Sequence, residues 1–450
     1  MTDRRPGPLV AGAAGQVTET RRAAAEICAD LRRGERLDTA FDARTAHLDA
    51  RDRRWTQELV YSMLRGRSVL DSHLDSRVRG GLVRLDPDLA DLLRLGAYQL
   101  LSMNSVPAYA AIAQTVEIAK QRHGMGASRL ANAVLRRLDR ERDQLALPTP
   151  SDPVDSLALR YSHPRWLVAR WIARWGAAET EALLAANNTE PQTVLRPYGI
   201  VHEQLEAMLE TAGVEVSHHP LVRDSLQLES PVAITELGAF KQGLFFVQDP
   251  AATLVTHYAA VAPGALVADL CAAPGGKALE LSRTAGLVIA ADRNPTRVAR
   301  LMENFRRVDA RDAVAMVADA RSPAMREVDA VLLDVPCTGT GTLRRHPDAR
   351  WRLKMSDLAV MAALQRELLH SAASLVRPGG ILVYSTCSLE PEENDARIEE
   401  FLGARPEFVL EPPPDGSVPA SVLDAGRLRV LPQRHGVDGA FAARLRRGGA

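Results

Sequence analysis

Cysteine is scarce in this chain of 450 residues, which has only Cys28, Cys271, Cys337 and Cys387. They form no CxxC pair and no regular framework, which argues against a zinc site or a disulfide scaffold and for thiols kept reduced. Aromatic residues make up 4% of the chain, too few for an extended base-stacking platform. Neither charge dominates, with 56 basic and 56 acidic residues, so any nucleic-acid contact must come from local basic patches. No apolar run approaches the ~20 residues of a transmembrane helix. The first eight residues, Met1 to Pro8, lack the apolar core of a secretory signal. A cytoplasmic protein with no membrane partner is expected. Lysine is rare too: Lys120, Lys241, Lys277 and Lys354 stand against abundant arginine.

What is present is ordinary in bulk, 46% apolar and 25% charged, and long enough for more than one core. Residues 1–20, rich in Pro, Gly, Ala and Arg, read as a disordered tail. Residues 21–147 are helical throughout, with apolar residues at helical spacing over 57–66 and 89–101, a helix opened by Pro107, and another over 130–138. The proline-rich stretch 147–153 reads as a linker. Residues 157–248 hold a helix with Trp171 and Trp175, then a small α/β module with strands over 193–196, 214–216, 225–228 and 244–247. From 249 to 450 strands and helices alternate, which indicates a parallel sheet. Its strands are expected over 266–270, 287–291, 313–317, 330–333 and 381–384, with an edge hairpin from 428–432 and 440–445.

Acidic or glycine-rich pieces end these apolar runs, which places them at the carboxyl edge of the sheet, where open α/β sheets bind ligands. The first is Cys271-Ala272-Ala273-Pro274-Gly275-Gly276-Lys277. It fails the P-loop pattern at both ends, and a GxGxxG is missing. What remains is a glycine turn that lets backbone approach a ligand closely. Asp292 is placed to accept two ribose hydroxyls, and Asp319 to receive an exocyclic amine. A lone strand-end aspartate is commonly a turn residue; three in order suit a nucleoside cofactor without a pyrophosphate, S-adenosylmethionine. Lys277 can serve the site as a point charge, or lie on the surface.

Two thiols leave adjacent strand ends: Cys337 after Asp334-Val335-Pro336, and Cys387 after Ser385-Thr386. Either alone would pass as buried filler; the pair fits chemistry. A pyrimidine's carbon 5 is a poor nucleophile, and thiolate attack on carbon 6 turns the ring into an enamine that can take a methyl group. Asp334 is placed to stabilise the charge that develops at the base's ring nitrogen and amino edge.

The helical part resembles the NusB type of RNA-binding domain, carried by 21–25, 59–65, 93–101, 108–120 and 132–136. That resemblance tilts the arginines at 4, 5, 21, 22, 32, 33, 51, 53 and 54 toward RNA phosphates, the alternative being a solvated helix face. Over nearly the whole chain the sequence resembles the RNA cytosine-5 methyltransferase family, in its bacterial members acting on small-subunit ribosomal RNA. The carrying pieces are 247–250, 269–277, Asp292, Asp319, 334–341, 385–388 and 437–439, with Thr338 and Ala440 as departures. The resemblance implies a Rossmann-like S-adenosylmethionine-dependent methyltransferase domain behind an all-α NusB-like domain and the small α/β module. It makes Cys387 the nucleophile and Cys337 the thiol that assists adduct release, with Asp334 and Lys277 beside them. The turn 271–277 with Asp292, Asp319 and Asp334 becomes the cofactor set. The implied product is 5-methylcytosine in 16S ribosomal RNA, made by a monomer before subunit assembly is complete. Arg344-Arg345-His346-Pro347-Asp348 could hold phosphates beside the target base, or be an exposed basic loop. A DNA-type enzyme would use Cys337 as nucleophile, an amino-group methyltransferase would carry an aromatic after two prolines, and a tRNA substrate or a non-catalytic RNA scaffold are further alternatives.

Overall fold

Apolar residues at helical spacing generate the first of two units in the computed structural model, which describes residues 17–449. Among the described residues this unit comprises 17–184 together with His346–Trp351. Its helices include Glu19–Arg32, Leu37–Thr45, Ala50–Arg65, Arg67–Asp75, Pro87–Ser102 and Ala108–Arg140. Ile27, Leu59, Val60, Met63, Leu93 and Leu135 are among its buried core residues, each worth roughly 1.5–3 kcal/mol on burial. Caps are written in the sequence: the Asp86 carboxylate accepts from Asp88 N at 2.8 Å ahead of Pro87. Gly96 lets two helices close up, since a Cβ there would stand 2.9 Å from Leu135 Cδ1.

Two expectations change here. The tail expected over 1–20 lies outside the described residues up to 16, but the first helix already starts at Glu19, and Thr18 N donates to Gln114 Oε1 at 2.9 Å. The two helices expected over 108–138 are present, meeting at Gly124, whose φ of 80° breaks the helical path. Pro153 ends the expected linker by opening a helix, Pro153–Arg160, capped by Asp152. The segment His346–Trp351 is held inside this unit. Trp351 Nε1 donates to Leu64 O at 2.9 Å, Arg350 Nη1 to Ser162 O at 3.2 Å, and His346 Nδ1 lies 3.1 Å from Asp38 Oδ2.

The arginines expected to read phosphates divide. Arg4 and Arg5 lie outside the described residues. Arg21 is buried and donates to Gln99 Oε1 at 2.6 Å. Arg32 pairs with Asp88 and Asp91, Arg33 with Asp30, and Arg53 with Asp42. Arg22, Arg51 and Arg54 are exposed. Three of the seven described members therefore serve the helical fold through ion pairs, and Arg21 through a buried hydrogen bond.

The second unit, 185–345 with 352–450, holds two sheets. The small one has β1 (Val194–Pro197), β2 (Val216–His219), β3 (Val222–Leu228) and β4 (Phe245–Val247), antiparallel in the order β2-β3-β1-β4. The large sheet contains β5 (Leu266–Asp269), β6 (Leu287–Asp292), β7 (Ala313–Val317), β8 (Val328–Asp334) and β9 (Val376–Thr386). These five are parallel in the order β9-β8-β5-β6-β7, and the continuous apolar run 330–333 of β8 is buried on both faces. Antiparallel strands β10 (Phe408–Leu410), β11 (Leu423–Asp424), β12 (Arg427–Val430) and β13 (Ala440–Arg447) complete it. The expected hairpin is β12–β13, but β13 lies inside the sheet against β9, and the two-residue β11 forms that edge. A Rossmann-like sheet behind an all-helical unit is the fold expected from the sequence.

Candidate active site

Strand ends carry the site, because each apolar strand delivers its last residue to the carboxyl edge. Asp269 closes β5, Asp292 closes β6, Asp334 closes β8, and Cys387 follows β9; Asp319 comes two residues after β7. Register ties neighbours together: Asp269 pairs with Leu332 and Ala290, Asp292 with Val317, and Asp334 with Ser385.

Lys277, in the first turn of the helix Gly276–Ser282, donates from Nζ to Asp334 Oδ2 at 2.7 Å. Ser385 Oγ donates to the other oxygen at 2.7 Å. Burial alone would lower the Lys277 ammonium, but the Asp334 carboxylate outweighs it and its pKa stands above the ordinary value. Beside this chain of charges, Cys337 Sγ and Cys387 Sγ lie 3.2 Å apart. The Cys387 sulfur, followed by burial, pushes the Cys337 thiol well above its ordinary range. The two loops are stitched by Val335 N to Ser385 O at 3.0 Å and Gly341 N to Cys387 O at 2.9 Å. A Cβ on Gly341 would sit 2.7 Å from that carbonyl, so glycine is required for the approach.

The glycine turn borders a cavity of about 360 Å³ lined by Asp269, Cys271, Lys277 and Asp334 on one side and Phe246 and Gln248 on another. Ala272, Ala273, Pro274 and Gly276 also line it; Asp292, Asp319 and the thiols of Cys337 and Cys387 lie outside its lining. Gly275 has φ 108°, a left-handed conformation that favours glycine. Gln248, its amide oriented to satisfy both neighbours, donates to Gly276 O at 3.0 Å and accepts from Thr253 N at 3.1 Å. Cys271 lines the cavity wall, and burial raises its thiol above the ordinary range. Asp292 is buried, accepts from Asn294 N at 3.0 Å and pairs with Arg297 at 3.1 Å. Arg297 also donates to Ala273 O at 2.6 Å, linking the turn to the second strand end. Asp319 pairs with Arg321 at 2.6 Å, which holds its carboxyl down to about 2.

Asp269 was absent from the residues singled out by sequence, though a strand-end acid before a glycine turn was the signal. It is 1% exposed, and neither carboxylate oxygen reaches a hydrogen-bond partner among the described residues. Burial first, then the Asp334 charge, pushes it up to about 7 against the opposing pull of the Lys277 ammonium. Such an orphaned buried carboxylate fits a ligand that brings a cation.

The basic loop after Cys337 is a correction. Arg344 Nε donates to Asp438 Oδ1 at 2.7 Å and Arg345 Nε to Asp438 Oδ2 at 2.6 Å, while Arg345 Nη2 reaches Asp249 Oδ2 at 2.5 Å. These guanidiniums pin the loop through acids inside the same unit, so they do not form an exposed phosphate clamp.

A parallel sheet whose strands end in acids, two of which (Asp269 and Asp334) line a cavity beside a glycine turn, with no pyrophosphate fingerprint, fits a Rossmann-like methyltransferase. Family models match in chain order: the NusB family over 18–140, a ferredoxin-like domain of RsmF/B-like methyltransferases over 163–235, and the 16S rRNA methyltransferase RsmB/F over 258–446. The chain belongs to the RsmB/F family of 16S rRNA methyltransferases. It is 35% identical to a probable ribosomal RNA small subunit methyltransferase B of Synechocystis sp., covering 92% of this chain and 96% of that relative. It is 36% identical to the ribosomal RNA small subunit methyltransferase B of Vibrio cholerae, covering 92% and 93%. Among solved structures, the crystal structure of PH0851 superposes with a TM-score of 0.81 at 29% identity, over 95% of this chain and 98% of that one.

Ribosomal RNA is the substrate of this family, and S-adenosylmethionine the methyl donor, as the sequence led one to expect. The residues present fit the donor: Asp269 offers an unpaired carboxylate to its ammonium, the turn 271–277 gives close backbone, and Asp292 and Asp319 stand at the next two strand ends. No helix among the described residues is long and apolar enough to cross a membrane.

Proposed function

We propose that this enzyme methylates carbon 5 of a cytosine in 16S ribosomal RNA through a covalent bond between Cys387 and carbon 6. The observation that carries this reading is the pair of sulfurs 3.2 Å apart at adjacent strand ends, beside the Lys277–Asp334–Ser385 chain. A single buried thiol would be filler; two in contact next to a lysine-bound carboxylate are a reaction site.

S-adenosylmethionine, when bound, supplies an electrophilic methyl group on a sulfonium. The chain's own residues do the rest. Cys387, as thiolate, attacks carbon 6; the S–C6 bond forms and the ring's double-bond electrons move to carbon 5, which accepts the methyl. Asp334 holds the base's ring nitrogen and amino edge, and Lys277 keeps that carboxylate oriented and compensates its charge. Release needs the carbon 5 proton removed as the ring double bond reforms and the Cys387 sulfur leaves. Cys337 serves this step. The Cys387 sulfur is the largest cause of its raised pKa, so once Cys387 is bonded to carbon, Cys337 becomes the more available base. Cys271, Ala272, Ala273, Pro274, Gly275, Gly276, Lys277, Asp292, Asp319 and Asp334 form the donor site in this reading. The target base leaves its stack to reach both sulfurs, which favours RNA not yet packed into a finished subunit. A monomer suffices, since one chain supplies every group named.

The test is a pair of variants on ribosomal RNA. Cys387→Ala abolishes methylation and forms no protein–RNA adduct; Cys337→Ala accumulates an adduct that survives denaturing electrophoresis. An adduct in Cys387→Ala, or loss of initial attack in Cys337→Ala, reverses the assignment of the two thiols.

A further inference from the structure

One buried carboxylate touches both thiol loops. Glu393, in the short turn Pro391–Glu393 after β9, is 0% exposed. Its Oε1 accepts from Thr338 N and from Gln365 Nε2, each at 2.9 Å. Its Oε2 accepts the hydroxyls of Thr338 and Ser388. Thr338 directly follows Cys337, and Ser388 directly follows Cys387. The same Gln365 amide donates to Pro336 O at 2.9 Å, on the other side of Cys337. The next residue completes the pattern: Asn394 Oδ1 accepts from Thr386 Oγ1 at 2.6 Å and Asn394 Nδ2 donates to Ser388 O at 2.8 Å, on either side of Cys387.

All these partners of the Glu393 carboxylate are neutral donors. A carboxylate held by neutral donors alone is costlier to bury than an apolar or amide side chain of similar size. What the anion gives is four acceptor positions and no donor, which turns every neighbouring hydrogen toward one point. We propose that Glu393 is a positioning residue that fixes the distance between the Cys337 and Cys387 sulfurs by anchoring the residue after each thiol. It touches neither substrate nor donor and acts only through Thr338 and Ser388. The inference rests on reading these two thiols as the reactive pair.

Spacing can be measured without turnover. A diazenedicarboxamide oxidant takes two electrons and two protons from a pair of thiols, forming one S–S bond and a hydrazine. In the full-length protein, free of RNA and methyl donor, the Cys337–Cys387 cross-link is followed by peptide mass mapping. The wild type cross-links readily. Glu393→Gln, which puts a donor where an acceptor is needed, slows the cross-link about tenfold and lowers kcat by a similar factor, with KM for S-adenosylmethionine unchanged. Charge alone predicts the opposite, because the Glu393 carboxylate is among the groups raising the Cys337 pKa; removing it would speed oxidation. A slower cross-link therefore reports geometry. Thr338→Val and Ser388→Ala, which keep the carboxylate and remove one hydroxyl each, slow the cross-link as well, and they decide the matter should Glu393→Gln not fold. Wild-type or faster cross-linking in Thr338→Val and Ser388→Ala overturns the proposal. If that happens while Cys337→Ala still traps RNA, the anchor alone is wrong; if Cys387→Ala still methylates, the catalytic reading is wrong and the spacing result stands.

Discussion

Lys277 Nζ and Asp334 Oδ2 are 2.7 Å apart, joining the glycine turn after β5 to the end of β8. In the proposed mechanism this bond orients the carboxylate that meets the base. Asp334→Asn, which cannot carry the charge, is expected to lower kcat by roughly 10²–10⁴, with donor affinity changing far less. Lys277→Met leaves the carboxylate without its cation and should lower kcat comparably. Single-turnover kinetics on ribosomal RNA would check both.

Donor binding is expected to depend on pH if the donor's ammonium is received, as proposed, by Asp269. Its carboxyl sits at about 7, raised from 3.8 by burial. A ligand bringing an ammonium binds the ionised form, so S-adenosylmethionine affinity is expected to fall about tenfold per pH unit below 7. The stability effect has the opposite sense. A raised folded-state pKa gives a contribution present below 3.8 and lost as pH rises through 7, on the order of 4 kcal/mol in full. Asp269→Asn should therefore bind the donor poorly at pH 8 while the ligand-free protein unfolds at higher temperature than the wild type. Calorimetric titration and thermal unfolding across pH 5–9 (approximate limits) measure the two sides of this linkage.

Arg196 on β1 and Glu280 in the helix Gly276–Ser282 form a buried pair, Nε to Oε2 at 2.8 Å and Nη2 to Oε1 at 2.5 Å. Although burial works against it, Arg196 holds the Glu280 carboxyl well below its usual range. Arg196 also pairs with Asp224, so Glu280→Ala leaves the guanidinium one carboxylate and should cost less than the ~3–5 kcal/mol of a fully unpaired buried charge. The pair's contribution is present above the ordinary carboxylate range and is lost as pH falls, so the wild type and Glu280→Ala should converge in denaturant midpoint under acid conditions.

The helical unit yields a further expectation. Arg22, Arg51 and Arg54 are exposed, whereas Arg32, Arg33 and Arg53 are engaged by acids. Replacing the first three by glutamine should reduce the slope of log affinity for ribosomal RNA against log salt by up to ~2–3. Replacing Arg32 should instead lower thermal stability with little change in that slope.

Why some of this was legible in the sequence and some was not has a simple physical basis. Asp292 and Asp334 could be placed because an apolar run of strand length fixes where its last residue emerges. The thiols followed for the same reason. Arg344 and Arg345 were misread because their partners, Asp249 and Asp438, lie 93 to 96 positions away, and local pattern cannot see a distant counter-charge. Glu393 stood in a run of acids, Glu390, Glu392 and Glu393, with nothing local to mark one as interior. The break at Gly124 falls between the two helices indicated by the sequence, one opened by Pro107 and one over 130–138.

The excursion of His346–Trp351 into the helical unit means that neither unit is a single uninterrupted length of chain. A cut near Leu184 would separate the indole of Trp351 from the Leu64 carbonyl and leave the guanidinium of Arg350 without Ser162. Halves made that way should be poorer proteins than their sizes suggest, and mixing them should restore what dividing them removed.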